Sequence, residues 1–191
     1  MATVAHALTT LANVKSYLGI SSSSFDTLIE VLIDNVTEFV EGKLGGRRIK
    51  TETYTDELYD GGNTEIFLRQ FPVTDLTKIQ HRSGEISNPT FNDFNANDFV
   101  LYEGGGFIHF FGGTPKGHLN LRFTYVAGFG EIPDDIEMIA KQLVAKAFDQ
   151  RKSQGKSSER LENSSIDWTT MLSPEQKSVL ARYRKHSFST K

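Results

Sequence analysis

Three histidines are the first residues of this chain whose type could support chemistry, because each lies in or beside a segment with strand-like spacing. They are His81, His109 and His118. Zinc and iron sites usually add cysteine thiolates or carboxylates at set spacings. The chain has no cysteine, no His-x-x-His pair and no glutamate at a ligand spacing from these histidines. The sequence therefore predicts no metal site and no cofactor, and surface histidines that make ordinary hydrogen bonds.

Two glycine clusters raise the possibility of a phosphate-binding loop. Such a loop is followed by the N-terminus of a helix, whose free amides face the anion. Gly104-Gly105-Gly106 is followed instead by Phe107 to Phe111, a segment typical of a strand. A hairpin turn is the better interpretation. The same argument applies to Gly61-Gly62.

Asp134, Asp135 and Glu137 form a cluster of carboxylates that could serve acid–base or two-metal chemistry. They also stand at the start of a predicted helix, where carboxylates bind free backbone amides and favour the positive end of the helix dipole. We find no recognisable arrangement of serine, histidine and aspartate for nucleophilic catalysis. The sequence predicts capping carboxylates, no catalytic residue, and a protein that is not an enzyme.

Arg47, Arg48 and Lys50 are candidates for weak contact with DNA or an acidic partner. Basic residues directly after a helix also compensate its dipole. Nine Lys/Arg against four Asp/Glu give residues 151–191 a net charge of +5, so the chain's −3 leaves −8 for residues 1–150. Affinity for DNA comes mainly from neutralised phosphates. The acidic body therefore argues against stable DNA binding.

Composition and the chain's N-terminus favour a soluble globular protein. Hydrophobic residues make up 38% of 191, which is enough for a packed core. Met1 to Thr10 lacks the basic start and apolar run of a signal peptide. No apolar stretch approaches the length of a bilayer span. The sequence predicts no membrane association, and the absence of cysteine suits a reducing cytoplasm.

Helical spacing of apolar residues appears near both ends of the first 152 residues. A short helix follows Thr10 and ends at Gly19, and a long helix runs from about Ser24 to Leu44, with Ser21 to Ser24 supplying its cap. Pro133 and the carboxylates after it start a helix that runs to about residue 152. Leu32, Val36, Leu143 and Ala147 are expected to meet between the two long helices.

The segment between these helices is predicted to form an antiparallel sheet. Its strands alternate apolar and polar residues, and glycine-rich turns separate them. The candidate strands are Arg48 to Leu58, Thr64 to Leu68, Val73 to Arg82, Asp98 to Tyr102, Phe107 to Phe111 and Leu119 to Val126. The fold class is therefore α+β, with a β insertion over about residues 46–127 in a helical domain of residues 1–153.

A polar loop, Ser83 to Asn97, contains Phe91 and Phe94. Exposed phenylalanine in a polar loop is unfavourable, so these rings either pack back on the sheet or fill a pocket on a neighbouring subunit. The sequence leaves both alternatives open.

Residues 154–191 are predicted to form a flexible linker and a C-terminal arm. Ser173-Pro174-Glu175-Gln176 has a cap, a proline and an N3 glutamine in the order that opens a helix, which should end near Lys185. A helix this short needs a partner to be stable. Trp and Tyr are enriched at interaction hot spots, so Trp168, Leu172, Leu180 and Tyr183 are candidate anchors.

The order and spacing of several motifs over about residues 8–153 resemble the head-tail adaptor proteins, also called head-completion or connector proteins, of tailed bacteriophages and gene transfer agents. The motifs are D-x-LIE-x-LI opening the long helix, VEGKLGGR closing it, a β-rich middle, YVAGFGEIPDDI and LVAKAFDQR. The resemblance implies a structural ring subunit, expected as a dodecamer, below the portal in the virion neck and assembled in the host cytoplasm.

The resemblance also implies the partners: a portal protein above, a tail-completion or stopper protein below, and genomic DNA passing through the channel. The alternatives are another neck or tail-completion ring protein, or a phage-encoded enzyme. Family adaptors reach the portal through their C-terminal segment, so the arm is the expected portal-binding site, and Phe91 and Phe94 are candidates for a subunit or tail interface. The portal-binding candidates are Trp168, Leu172, Leu180, Arg182, Tyr183, Arg184 and Lys185.

Overall fold

The computed structural model describes residues 3–84, 89–150 and 172–184. Two compact units make up the chain. One combines Met1–Lys50 with Glu131–Lys191, and the other is Thr51–Gly130. The first is built from helices and the second from antiparallel strands, which confirms the α+β class. No helix in the described residues has the length and apolar character needed to cross a membrane.

The helical unit contains four helices in the described residues. They are α1 (Leu11–Leu18), α2 (Asp26–Lys43), α3 (Asp134–Gln150) and α4 (Pro174–Tyr183). α2 packs against α3, α1 packs against both, and α4 packs against α3. The two signature helices of the sequence thus form one bundle, and the predicted arm helix lies in the same unit.

The ends of α1 and α2 differ in how they are capped. Gly19 ends α1 in the left-handed region, at φ 67°, which glycine adopts without strain. The expected serine cap of α2 is wrong, because its N-cap is Phe25 and no side chain caps it. The hydroxyls of Ser22 and Ser24 bond to each other at 2.8 Å instead, and Ser22 also accepts from the Ser24 amide.

The core of the helical unit lies on the facing stripes of α2 and α3. Leu32, Val36, Leu143 and Ala147 are all buried, as the period of the apolar residues predicted. The packing of these two helices on one core is therefore confirmed.

The sheet unit holds seven strands in the described residues. They are β1 (Glu52–Gly61), β2 (Glu65–Phe67), β3 (Val73–Ser83), β4 (Thr90–Asp93), β5 (Phe99–Tyr102), β6 (Phe107–Phe110) and β7 (Gly117–Ala127). Four strands form one sheet in the order β1-β7-β3-β4, and three form a second in the order β2-β6-β5. All pairs are antiparallel. Gly104-Gly105-Gly106 connects β5 to β6, which confirms the hairpin.

The predicted loop Ser83 to Asn97 is partly wrong, because it contains β4. This strand pairs with the end of β3, with Gln80 opposite Asp93 and Ser83 opposite Thr90. The Gln80 amide donates to the Asp93 carboxylate at 2.8 Å, so polar side chains replace the apolar alternation that would have marked a strand.

A partly buried carboxylate, Glu57, lies at the centre of a polar cluster in the sheet unit. The hydroxyls of Tyr59 and Tyr125 donate to it at 2.5 and 2.6 Å, and Arg69 pairs with it at 2.9 Å. Burial raises the pKa of Glu57, but the two hydroxyls and the Arg69 guanidinium outweigh burial and hold the pKa below its ordinary value. Burial raises the pKa of both tyrosines, so both stay neutral donors.

Candidate functional site

The helix α4 opens with the capping box that its sequence predicted. The Ser173 hydroxyl accepts from the Gln176 amide at 3.2 Å, and the Gln176 side chain accepts from the Ser173 amide at 2.9 Å. Pro174 is the first helical residue, where the missing N–H costs nothing. These contacts fix where the helix begins, which in turn fixes the face that it presents to α3.

Two of the predicted anchors attach α4 to its own chain. Leu172 and Leu180 are buried, with 6% and 4% of their surface exposed. The side-chain amide of Gln176 also donates to the side-chain oxygen of Gln142, on α3, at 2.7 Å. In this conformation these leucines supply the packing that a short helix needs. Their predicted contact with a portal protein would require α4 to leave this position.

The carboxylate of Asp135 binds the C-terminal end of α4. It accepts from the Arg182 guanidinium at 3.0 Å and from the Tyr183 hydroxyl at 2.9 Å. Burial and the hydrogen bond to Asp135 raise the pKa of Tyr183 above its ordinary value. Asp135 also accepts from the Ile136 amide at 2.9 Å, so the expected helix-start carboxylate has a second role that the sequence did not reveal.

Arg47, which follows α2 in the sequence, also binds the C-terminal end of α4. Its side chain is 2% exposed, and its Nη1 donates to the Tyr183 backbone carbonyl at 2.5 Å. Burial lowers the pKa of Arg47 to about 10, which keeps the guanidinium charged at neutral pH. In this conformation Arg47 has no surface to offer to DNA or to a partner.

We expect Arg47→Met to loosen α4 while the rest of the bundle stays folded. Methionine keeps the buried length of the side chain but cannot donate to the Tyr183 carbonyl, and a lost buried hydrogen bond costs about 1–3 kcal/mol. Hydrogen exchange of residues 172–184 should therefore accelerate. Lys177→Met, on the exposed side of the same helix, is the control. Unchanged exchange in Arg47→Met would contradict this role.

Arg48 lies in a second cluster, with His6, Glu38 and Glu41. His6 Nε2 lies 3.1 Å from a Glu38 oxygen and 3.6 Å from a Glu41 oxygen, and Arg48 Nη1 contacts both carboxylates. Burial raises the pKa of Glu41, whereas the hydrogen bond with His6 lowers the pKa of Glu38.

Within the described residues this histidine and its two glutamates form one group whose atoms are close enough to hold a metal ion. The Arg48 guanidinium already occupies the space between the carboxylates, so the geometry favours an ion-pair cluster. Lys50, nearby in sequence, is exposed and donates to the Ala5 carbonyl at 2.9 Å.

Phe91 and Phe94 both make contacts within the sheet unit. The Phe94 ring lies 4.9 Å from Phe110 and 5.1 Å from His81. The Arg122 guanidinium lies 3.9 Å from the centre of the Phe91 ring. Both rings therefore contact the sheet of their own chain, as one of the two alternatives expected, and their role at a subunit or tail interface stays a prediction. Trp168 and Lys185 lie outside the described residues.

Three solved structures have a similar fold. A chain of the virion of a native gene transfer agent particle matches with a TM-score of 0.59 and 14% identity, over 100% of this chain and 96% of that chain. A chain of the neck of an empty particle, computed with C6 symmetry, matches at 0.56 and 12%, over 100% and 96%. A chain of the native neck, computed with C12 symmetry, matches at 0.56 and 12%, over 95% and 91%.

Curated proteins give no match to the chain. The profile of one protein family, described as head completion protein, matches residues 7–186. This range includes both units of the structure and the arm helix α4. The chain therefore belongs to the head completion protein family.

Proposed function

We propose that this chain is a structural subunit of a phage neck, which forms a ring below the portal, joins capsid to tail and continues the DNA channel. The observation that carries the proposal is that chains of the necks of gene transfer agent particles share both units of this fold over nearly their whole length. The C12 symmetry of one such neck supports a ring of twelve copies.

The charge of the chain suits a channel through which DNA passes. Residues 1–150 carry a net charge of −8, which gives little attraction for phosphates. A lining that binds DNA weakly lets the genome move without being held. The partners would be a portal protein and a tail-completion protein, with assembly in the host cytoplasm.

The exposed arginines at the C-terminal end of α4 are the part of the arm best placed to reach a portal. Arg182 and Arg184 are exposed, whereas Leu172 and Leu180 are buried in the chain's own bundle. Basic residues at the rim of an interface speed association with an acidic partner, and salt weakens this effect. We therefore assign portal docking to the basic side of α4 and to the residues that follow it.

The test is binding of the full chain to purified portal protein. Arg182→Gln combined with Arg184→Glu should slow association by about tenfold or more at low salt, because charge complementarity acts mainly on the association rate. Glutamine at position 182 can still donate to Asp135, so α4 keeps its position. Lys116→Glu in the sheet unit makes the same kind of charge change as a control. Unchanged binding by the double variant would remove this assignment. Failure of the unaltered chain to bind portal would remove the proposed function.

A ring that binds a tail-completion protein but not portal would identify the alternative, a different ring component of the neck. Light scattering on the purified chain separates either ring from a monomeric enzyme.

A further inference from the structure

The smaller sheet, β2-β6-β5, has an outer face on which aromatic and apolar side chains surround one polar pair, Glu65 and His109, whose atoms lie 3.6 Å apart. The register pairs Val100 with His109, and Phe107 with both Phe67 and Tyr102. Successive strand residues point to opposite faces. The other face, which includes Ile66, Ile108 and Phe110, is in the core of the unit. The face formed by Glu65, Phe67, Val100, Tyr102, Phe107, His109 and Phe111 is hereafter called the aromatic face.

Three rings run in a row across this face. Phe107 and Tyr102 are stacked with centroids 4.4 Å apart and planes within 9° of parallel. Phe67 lies 5.4 Å from Phe107 on the other side. Phe111, next to His109, has 66% of its surface exposed, and Tyr102 has 49% exposed. An antiparallel sheet with one face in the core normally shows polar residues on the other face.

One edge of the same sheet carries no charge. β5, one of its two edge strands, has the four-residue sequence Phe-Val-Leu-Tyr, with no proline or bulge. Natural proteins usually protect such an edge by charge or by distortion. The aromatic face and its edge therefore have the features of a surface that another polypeptide covers.

The charges around the aromatic face exclude two classes of occupant. Glu65, Asp98 and Glu103 lie on or beside its strands and are exposed, and β2, β5 and β6 contain no lysine or arginine. Single-stranded nucleic acid needs basic residues beside the stacking rings, and anionic lipid needs them as well. The occupant is therefore a protein surface, apolar at its centre and basic around it.

We propose that the aromatic face binds a neighbouring copy of this chain; this rests on the proposed function as a ring subunit. The sheet unit carries five Lys/Arg against ten Asp/Glu, a net charge of −5, while residues 151–191 carry +5. Four of these basic residues, Arg151, Lys152, Lys156 and Arg160, precede α4 and its portal-docking side. Each copy therefore has an acidic aromatic face and separate basic residues to complement it. When two different surfaces of the same chain bind each other, successive copies join head to tail, and they form a ring where the rotation between copies closes.

The exposed area of the aromatic face suits a weak contact that is repeated around a ring. Val100, Tyr102 and Phe111 together expose on the order of 300 Å², below the roughly 800 Å² per partner of a stable interface. A single pair held by this face would be weak, whereas closure of a ring gives every copy two such contacts. The aromatic face is then the apolar centre of a larger contact between copies.

The absence of cysteine allows a direct test with single introduced thiols. Val100→Cys places a thiol on the aromatic face, and Lys78→Cys places one on an exposed position of β3 as the control. Maleimide labelling is measured on the purified full chain at rising concentration, with assembly followed by light scattering. Assembly should slow labelling of Val100→Cys by about tenfold or more, because a thiol reacts only when it is accessible. Lys78→Cys should be unaffected.

A second pair of variants tests the contribution of the rings. Tyr102→Ser combined with Phe111→Ser should fold with an unchanged circular dichroism spectrum and lose assembly. Met138→Ser, which removes an exposed side chain of α3, should assemble normally. Normal rings from the double variant would overturn this inference and leave the proposed function intact. So would protection of Val100→Cys that appears only when another neck protein is added. A purified chain that stays monomeric would overturn both this inference and the proposed ring.

Discussion

Leu32→Ala is expected to lower the free energy of unfolding by about 2–5 kcal/mol, the range found when a buried leucine is truncated. Leu32 has 6% of its surface exposed and lies on the face of α2 that packs against α3. Leu143, on α3, is fully buried in the same unit, so the removed side chain leaves a cavity that rigid neighbours fill poorly. Urea denaturation, followed by circular dichroism, measures the loss.

Leu28→Ala is the matched control for this experiment. Leu28 lies one turn earlier on the same helix and has 38% of its surface exposed, so the same truncation should cost far less. Equal losses for the two variants would show that the stability of the bundle does not come from the contact between α2 and α3.

Glu57→Gln is expected to cost about 2 kcal/mol of stability at neutral pH, since the buried tyrosine hydroxyls lose a charged acceptor. The pKa of Glu57 is lower in the folded chain than its ordinary value of 4.5. The folded chain therefore binds this proton more weakly than the unfolded chain does. The stabilisation is present above about pH 4.5 and is lost as the pH falls through the lowered folded value.

The pH dependence distinguishes this carboxylate from a bulk effect of charge. Stability measured from pH 7 down to pH 3 should fall less steeply in Glu57→Gln than in the unaltered chain. Glu52→Gln, which removes the same charge at an exposed position of the same strand, is the control. A Glu57→Gln profile parallel to that of the unaltered chain would contradict the account.

The elements that the sequence predicted are those whose signals are local. The apolar stripes of α2 and α3 recur every three to four residues, and the Ser173 capping box lies within four residues, so neither requires knowledge of the fold. β4 was missed because its stability comes from pairing with β3. The Gln80 and Asp93 side chains that meet there are polar and give no alternation.

The attachment of α4 could not be predicted for the same reason. Arg47 meets the Tyr183 carbonyl across 136 positions of sequence, and Asp135 meets the Tyr183 hydroxyl across 48. In the sequence, a basic residue after a helix and an acidic residue in the first turn of one have sufficient local explanations. Only the packing of α4 on α3 brings them together. The aromatic face was missed because strand register, rather than composition, assigns its rings to one side.

The sheet unit begins and ends at the same place. The Thr51 amide donates to the Phe129 carbonyl at 3.0 Å, so the two points where the chain enters and leaves the unit are hydrogen-bonded neighbours. A segment whose ends meet can be shortened, enlarged or exchanged without changing the distance that the flanking helices must span. Residues 51–130 thus form a cassette, and one helical scaffold can carry different sheets to suit different neighbours.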